Sequence, residues 1–184
     1  MNMNAMSFLI TTVFDLYLMV VILRFWLQWA KADFYNPFSQ FIVKATHPVL
    51  APMRRILPSV GSIDTASIVL ALLVVLVKML VLTLLAGAAI DILTLLLFSL
   101  ISVVKEAGVL LFWLILIRAL LSWFNQGHNP IVMMMTQLTE PVLAPVRRII
   151  PPMGGLDLSV MFVIIGLNFL NMLLSQYVPF WAVI

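Results

Sequence analysis

A chain of 184 residues that is 64% hydrophobic and 9% charged carries more apolar surface than a water-soluble core of that size can hide. Its mean hydropathy is +1.19. A net charge of +3 is too small for a nucleic-acid binder, and the absence of cysteine excludes disulfides, thiolate metal sites and thiol nucleophiles. The composition is that of a protein built for a bilayer.

The first segment, from about Met6 to Trp29, holds the roughly 20 apolar residues that a hydrocarbon core about 30 Å thick requires of a helix. Asp15 interrupts it, Arg24 lies near its end, and Trp26 and Trp29 suit the membrane–water interface. Ala30-Lys31-Ala32 resembles a signal-peptidase site, but residues 1–23 contain no Lys or Arg, so no basic leader precedes the apolar run. We expect a retained helix.

Asn36-Pro37 then reads as an N-cap followed by proline at the first helical position, where its missing N–H costs nothing. Phe38, Phe41, Ile42 and Ala45 share one helical face, so a short amphipathic helix of about ten residues should lie in the cytoplasmic interface or pack against the bundle. Pro48 is expected to stop it. A second short element carries Pro52-Met53-Arg54-Arg55-Ile56-Leu57-Pro58, and the recurrent prolines give the loop a determined shape. Gly61 and Asp64 read as a turn and the N-cap of the next helix.

A second spanning segment runs from about Ala66 to Ile90 with Lys78 inside it, and Gly87 and Asp91 mark the break before the third. The third ends near Trp123. It is expected to start early and run long or tilted, with Lys105 and Glu106 at the interface. Asn129-Pro130 opens a second loop whose apolar stripe is Ile131, Met134, Met135 and Leu138, stopped by Pro141. Pro145 to Pro151, with Arg147 and Arg148, follows, then Gly154 and Asp157. The fourth span covers about Leu158 to Tyr177 and carries Asn168 and Asn171.

The two loops say the same thing. THPVLAPMRRILP (Thr46 to Pro58) and TEPVLAPVRRIIP (Thr139 to Pro151) lie 93 residues apart, as do their Asn-Pro pairs and Gly-x-x-Asp tails. Arg24 and Trp29 recur as Arg118 and Trp123 at a spacing of 94. A repeat of this length divides the chain into two copies of one unit. The expected fold is therefore an all-α membrane protein with four transmembrane helices in two parallel-topology repeats, residues 1–91 and 92–184. Each repeat has a Pro-rich cytoplasmic loop, 30–65 or 124–157, containing a short amphipathic helix. Lys31, Lys44, Arg54, Arg55, Arg147 and Arg148 put both loops in the cytoplasm and both termini outside.

Two features carry chemistry. The arginine pairs Arg54–Arg55 and Arg147–Arg148 suit either anchoring to anionic lipid headgroups or docking of a partner or anionic ligand. Asp15 and Lys78 fall at similar depth in the outer half of the bilayer, counting about 1.5 Å per residue, so an ion pair facing the bundle interior is expected. Interhelical adhesion and a polar path for ions or protons both remain open for this pair and for Asn168 and Asn171. His47 and His128 are not equivalent in the repeat and lack neighbours at metal-ligand spacing. No catalytic set or phosphate loop stands out, so we expect no enzyme and no cofactor. The expected partners are the bilayer with its anionic headgroups and a second copy or another membrane protein.

The duplicated NP…TxPVLAPxRRIxP with its GxxD tail resembles the YggT family of bacterial membrane proteins, related to the YlmG proteins of chloroplasts. The resemblance implies a multi-pass inner-membrane protein linked to osmotic-stress tolerance and potassium handling. Other members imply links to cell-division gene neighbourhoods, and the plastid relatives to nucleoid distribution and cytochrome assembly. An assembly or scaffold role is thus the alternative to ion homeostasis. The family implies no catalytic residue.

Overall fold

Caps and left-handed residues set the element boundaries. The computed structural model describes residues 4–124, 129–150 and 157–182, with backbone alone at 123 and 124. It contains α1 (Ala5–Trp29), α2 (Pro37–Met53), α3 (Thr65–Leu85), α4 (Ile92–Phe124), α5 (Pro130–Ile149) and α6 (Leu158–Tyr177). The side chain of Trp123, and His128, Pro151 and Gly154, lie outside the described residues.

The helices α1, α3, α4 and α6 are long and apolar enough to cross a membrane. Asn4 caps α1 by accepting from the Ser7 N–H at 2.8 Å. Lys31 (φ 50°) and Gly87 (φ 62°) end α1 and α3 in the left-handed region. In both places the next N–H reaches back to the last turn, Ala32 to the Leu27 carbonyl at 3.0 Å and Ala88 to that of Thr83 at 3.1 Å, as in a Schellman motif. Gly87 thus closes α3 at Leu85, ahead of the expected end at Ile90. Asp91 accepts from Leu93 N–H at 3.2 Å and from the Thr94 hydroxyl, and α4 then runs unbroken for 33 residues. The third span is long, as expected.

Asn36 and Asn129 accept from the Phe38 and Ile131 N–H groups, both at 2.9 Å, with Pro37 and Pro130 as first helical residues. The prolines inside these helices behave differently from expectation. Pro48 and Pro52 lie within α2, and Pro141 and Pro145 within α5, so neither Pro48 nor Pro141 stops its helix. Pro52 to Met53 and Pro145 to Ile149 accordingly continue α2 and α5 and do not begin separate elements. The reason is position: Lys44, Pro48 and Pro52 lie on the exposed side of α2, where carbonyls deprived of an N–H partner stay open to solvation. The buried side is also not the expected stripe. Ser39, Ile42, Thr46 and Leu50 face inward, whereas Phe38 and Phe41 are exposed. In α5, Met134, Met135 and Leu138 are buried and Ile131 is exposed.

The main core joins Leu18, Val21 and Leu27 of α1 to Leu70 and Val75 of α3, with Ile42 and Leu50 from α2 and Met134 and Leu138 from α5. A smaller cluster joins Leu111 and Ile115 of α4 to Leu143 and Val163. Hydrogen bonds tie α5 to the start of α2 and to α1 at one end of the bundle. Asn36 Nδ2 donates to the Pro130 carbonyl at 3.1 Å, and Trp26 Nε1 to that of Leu138 at 2.8 Å. α6 is peripheral, with Ser159 and Val163 as its buried residues. Such an exposed apolar helix is stable beside lipid, where packing and polar contacts rather than water exclusion hold helices together.

Candidate functional site

At the loop end of the bundle, the first arginine of each pair closes onto the aspartate ten residues beyond it. Arg54 bonds Asp64, which is completely buried and also accepts from the Ser67 hydroxyl at 2.6 Å. Arg147 donates from Nε to Asp157 at 2.9 Å and from Nη1 to Glu140 at 2.9 Å. Asp157 also caps α6 by accepting from the Ser159 N–H at 3.2 Å. Asp64 stands at the N-cap of α3 but makes no capping bond with its side chain: Arg54 and Ser67 both bond Oδ2, and Oδ1 is buried without a partner among the described residues.

Burial works to raise the Asp64 pKa, but the Arg54 and Ser67 hydrogen bonds outweigh it and leave the carboxyl below its ordinary range. The same balance, with Arg147 and Ser159, lowers Asp157. Arg147 is held above its ordinary value, chiefly by its bond to Asp157. Each clamp joins the C-terminal end of a loop helix to the start of a spanning helix and so sets the angle between them.

Arg55 and Arg148, the second members of the pairs, are exposed. Ile56 and Ile149 beside them are each 81% exposed. Arg118 approaches the second clamp from α4, donating to the Thr139 hydroxyl at 2.6 Å and lying 3.5 Å from Glu140. Arg24 occupies the corresponding place on α1, buried, with its guanidinium 5.0 Å from the Phe34 ring centroid.

A second polar group lies midway along the spanning helices. Lys78 Nζ contacts Asp15 Oδ1 at 2.6 Å, linking α3 to α1. The lysine side chain is 10% exposed and the aspartate 36%, so the pair opens on the Asp15 side. Glu106 of α4 is half-buried within electrostatic range of Asp15, Lys78 and Lys105. Lys105 itself extends along α4 to donate to the Trp181 carbonyl at 2.9 Å. Trp181 folds back past the end of α6, and its indole N–H donates to Asn171 at 2.9 Å. A cavity of about 300 Å³ opens between α4 and α6, lined by Lys105, Asn168, Asn171 and Trp181 among apolar residues. Asn168 is exposed and donates to the Ile164 carbonyl at 2.9 Å.

The sequence-predicted residues therefore sort into three places. Arg54 and Arg147 are engaged in clamps, Arg55 and Arg148 are exposed, and Asp15, Lys78 and Asn171 belong to the polar groups along the spanning helices. Pro37, Pro48 and Pro52 lie in α2 and Pro130, Pro141 and Pro145 in α5, behind the caps Asn36 and Asn129, while Pro58 follows α2. Reading the sequence missed the partners: Ser67, Thr139, Glu140 and Trp181. A signal existed for the clamps, since Arg54–Asp64 and Arg147–Asp157 share one spacing in two copies. No comparable signal existed for Trp181, whose position depends on the chain turning back after α6.

Four apolar helices, two proline-containing helices at one end and a duplicated arginine–aspartate clamp define a small polytopic membrane protein. The sequence model of the CCB3/YggT family matches residues 3–85 and again 92–178, and the chain belongs to that family. It is 58% identical over 182 residues to an "uncharacterized protein in proC 3'region" of Vibrio alginolyticus, covering 97% of this chain and 98% of the relative. It is 43% identical over 171 residues to the Escherichia coli (strain K12) "uncharacterized protein YggT", covering 92% and 89%. An uncharacterized protein of Pseudomonas aeruginosa is 44% identical over 173 residues, covering 92% and 88%. No solved structure matches.

Proposed function

We propose that this chain is a non-enzymatic protein of the bacterial cytoplasmic membrane that supports osmotic-stress tolerance and ion homeostasis, potassium included. In this reading the two loops face the cytoplasm and the termini lie outside. Residues 1–91 and 92–184 are two repeats of parallel topology.

One observation carries the ion reading. Asp15, Lys78 and Glu106 gather within electrostatic range of one another along the spanning helices, and Lys105, next to Glu106 in sequence, lines the separate α4–α6 cavity with Asn171. Charges at membrane depth are costly, so a bundle needing only adhesion would hold fewer of them. The scaffold reading draws on a different observation, the exposed Arg55–Ile56 and Arg148–Ile149 surface. Arginine flanked by isoleucine suits anionic headgroups or a docked partner.

Asp15→Asn, Lys78→Met and the double variant separate the two. Each single change strands one charge in a low-dielectric setting and should cost about 3 kcal/mol, which the double variant should recover. Membrane stability and survival of hyperosmotic shock are scored separately. A stable double variant that fails osmotic shock supports the ion reading. A stable double variant that survives shock like wild type removes the mid-helix charges from function and leaves the scaffold reading.

A further inference from the structure

The two clamps differ in one respect that points to a ligand. Arg118 has both a hydrogen bond and a counter-charge: Nη1 donates to Thr139 at 2.6 Å, and Glu140 stands 3.5 Å away. Arg24, its counterpart 94 residues earlier, is 8% exposed. Its Nη1 is buried with no hydrogen-bond partner among the described residues. The difference is written in the sequence. Where the second loop has Glu140, the first has His47, an exposed residue 93 positions earlier that offers no carboxylate. Thr46, the counterpart of Thr139, donates to the Ile42 and Val43 carbonyls at 2.8 and 3.3 Å and receives nothing from Arg24.

Arg24 also lines a cavity of about 420 Å³ together with Gln28, Phe34, Gln40, Val43 and Lys44. Its polar lining is a guanidinium, an ammonium and two carboxamides, with no carboxylate. Around the second clamp two arginines, Arg118 and Arg147, meet two carboxylates, Glu140 and Asp157. Around the first, Arg24, Arg54 and Lys44 meet Asp64 alone, and the hydrogen bonds of Asp64 go to Arg54 and Ser67, none to Arg24. A buried guanidinium whose Nη1 has no hydrogen-bond partner, and whose carboxylate in range is bonded to another arginine, is expensive, and an oxyanion taking bonds from its fork is the natural remedy. Several convergent donors and a volume well beyond the roughly 30 Å³ of one water favour a tetrahedral oxyanion over a lone halide.

We propose that the Arg24 cavity binds a phosphate-bearing anion that takes the place Glu140 fills in the second half. A phospholipid headgroup and free phosphate share this chemistry, and the experiment distinguishes them.

The full chain is purified in a maltoside detergent, which carries no phosphate. Thermal unfolding is followed with inorganic phosphate against chloride at equal ionic strength, and with phosphatidylglycerol against diacylglycerol of the same chains. Wild type should show a saturable rise in unfolding temperature with phosphate, with phosphatidylglycerol, or with both. Phosphatidylglycerol alone identifies a headgroup site and phosphate alone a free-anion site. Arg24→Gln should weaken binding at least tenfold. His47→Glu, at an exposed position that should not impair folding, supplies the missing carboxylate. It should abolish the response while raising the ligand-free unfolding temperature. No response of wild type to either ligand, or an unchanged response in His47→Glu, overturns the proposal.

Discussion

At the scale of single residues, the two arginines of each pair have opposite situations despite being neighbours. Arg54 neutralises a carboxylate with no solvent access, whereas Arg55 is exposed. Arg54→Gln strands the Asp64 charge and should cost about 3 kcal/mol, while Arg55→Gln should stay within about 0.5 kcal/mol. Denaturation of the two variants in detergent checks the contrast, and equal losses would refute it. The clamps also set an acid limit. Both Asp64 and Asp157 titrate below the ordinary 3.8, so folding gains stability from them at any pH above that value. That gain disappears as pH falls through the lowered native values. Unfolding temperature should therefore hold from neutral to about pH 5 and drop below about pH 4, and Asp64→Asn should flatten part of that drop.

At the scale of elements, termination of α3 rests on Gly87. Its φ is +62°, and a Cβ added there meets nothing within 4 Å. Gly87→Ala is therefore a test of backbone conformation without steric confusion. It should cost about 1 kcal/mol, read as a lowered denaturation midpoint, with helix content by circular dichroism unchanged. A neutral result would mean that α3 ends through packing and not through its left-handed cap. The proline-bearing helices show the complementary lesson. Proline is excluded from a helix by a lost hydrogen bond and a ring clash, yet both fall on the outer face of α2, where bending and solvation absorb them.

At the scale of the molecule, the halves are unequally consolidated. The main core gathers α1, α2 and α3 with the inner faces of α4 and α5, whereas α6 contributes Val163 to a minor cluster and leaves a cavity against α4. Insertion must nevertheless place both arginine-bearing loops on one side, since the start of α2 is hydrogen-bonded to α5. Reporters fused after Ile184 and inserted within the Lys31–Asn36 turn should then read opposite sides, the terminus outside and the turn cytoplasmic. A cytoplasmic signal after Ile184 would refute the orientation.

Much of this was legible in one dimension. Spanning length, the Asn-Pro starts of α2 and α5, the break at Gly87–Asp91 and the equivalence of the loops follow from local periodicity and backbone chemistry, which neighbours in sequence determine. The Asp15–Lys78 approach was legible too, because two charges at equal depth have few other partners in hydrocarbon. What the sequence could not decide was which surface of each helix turns inward. Phe38 and Phe41 share a stripe with Ile42, yet they are exposed and the small, polar Ser39 and Thr46 pack inside instead. Equally, the placing of Glu140 against Arg118, and of His47 where Arg24 has no such answer, needed the loop helices folded back on the bundle. Those contacts join groups far apart in the chain, and only tertiary packing brings them within hydrogen-bond range.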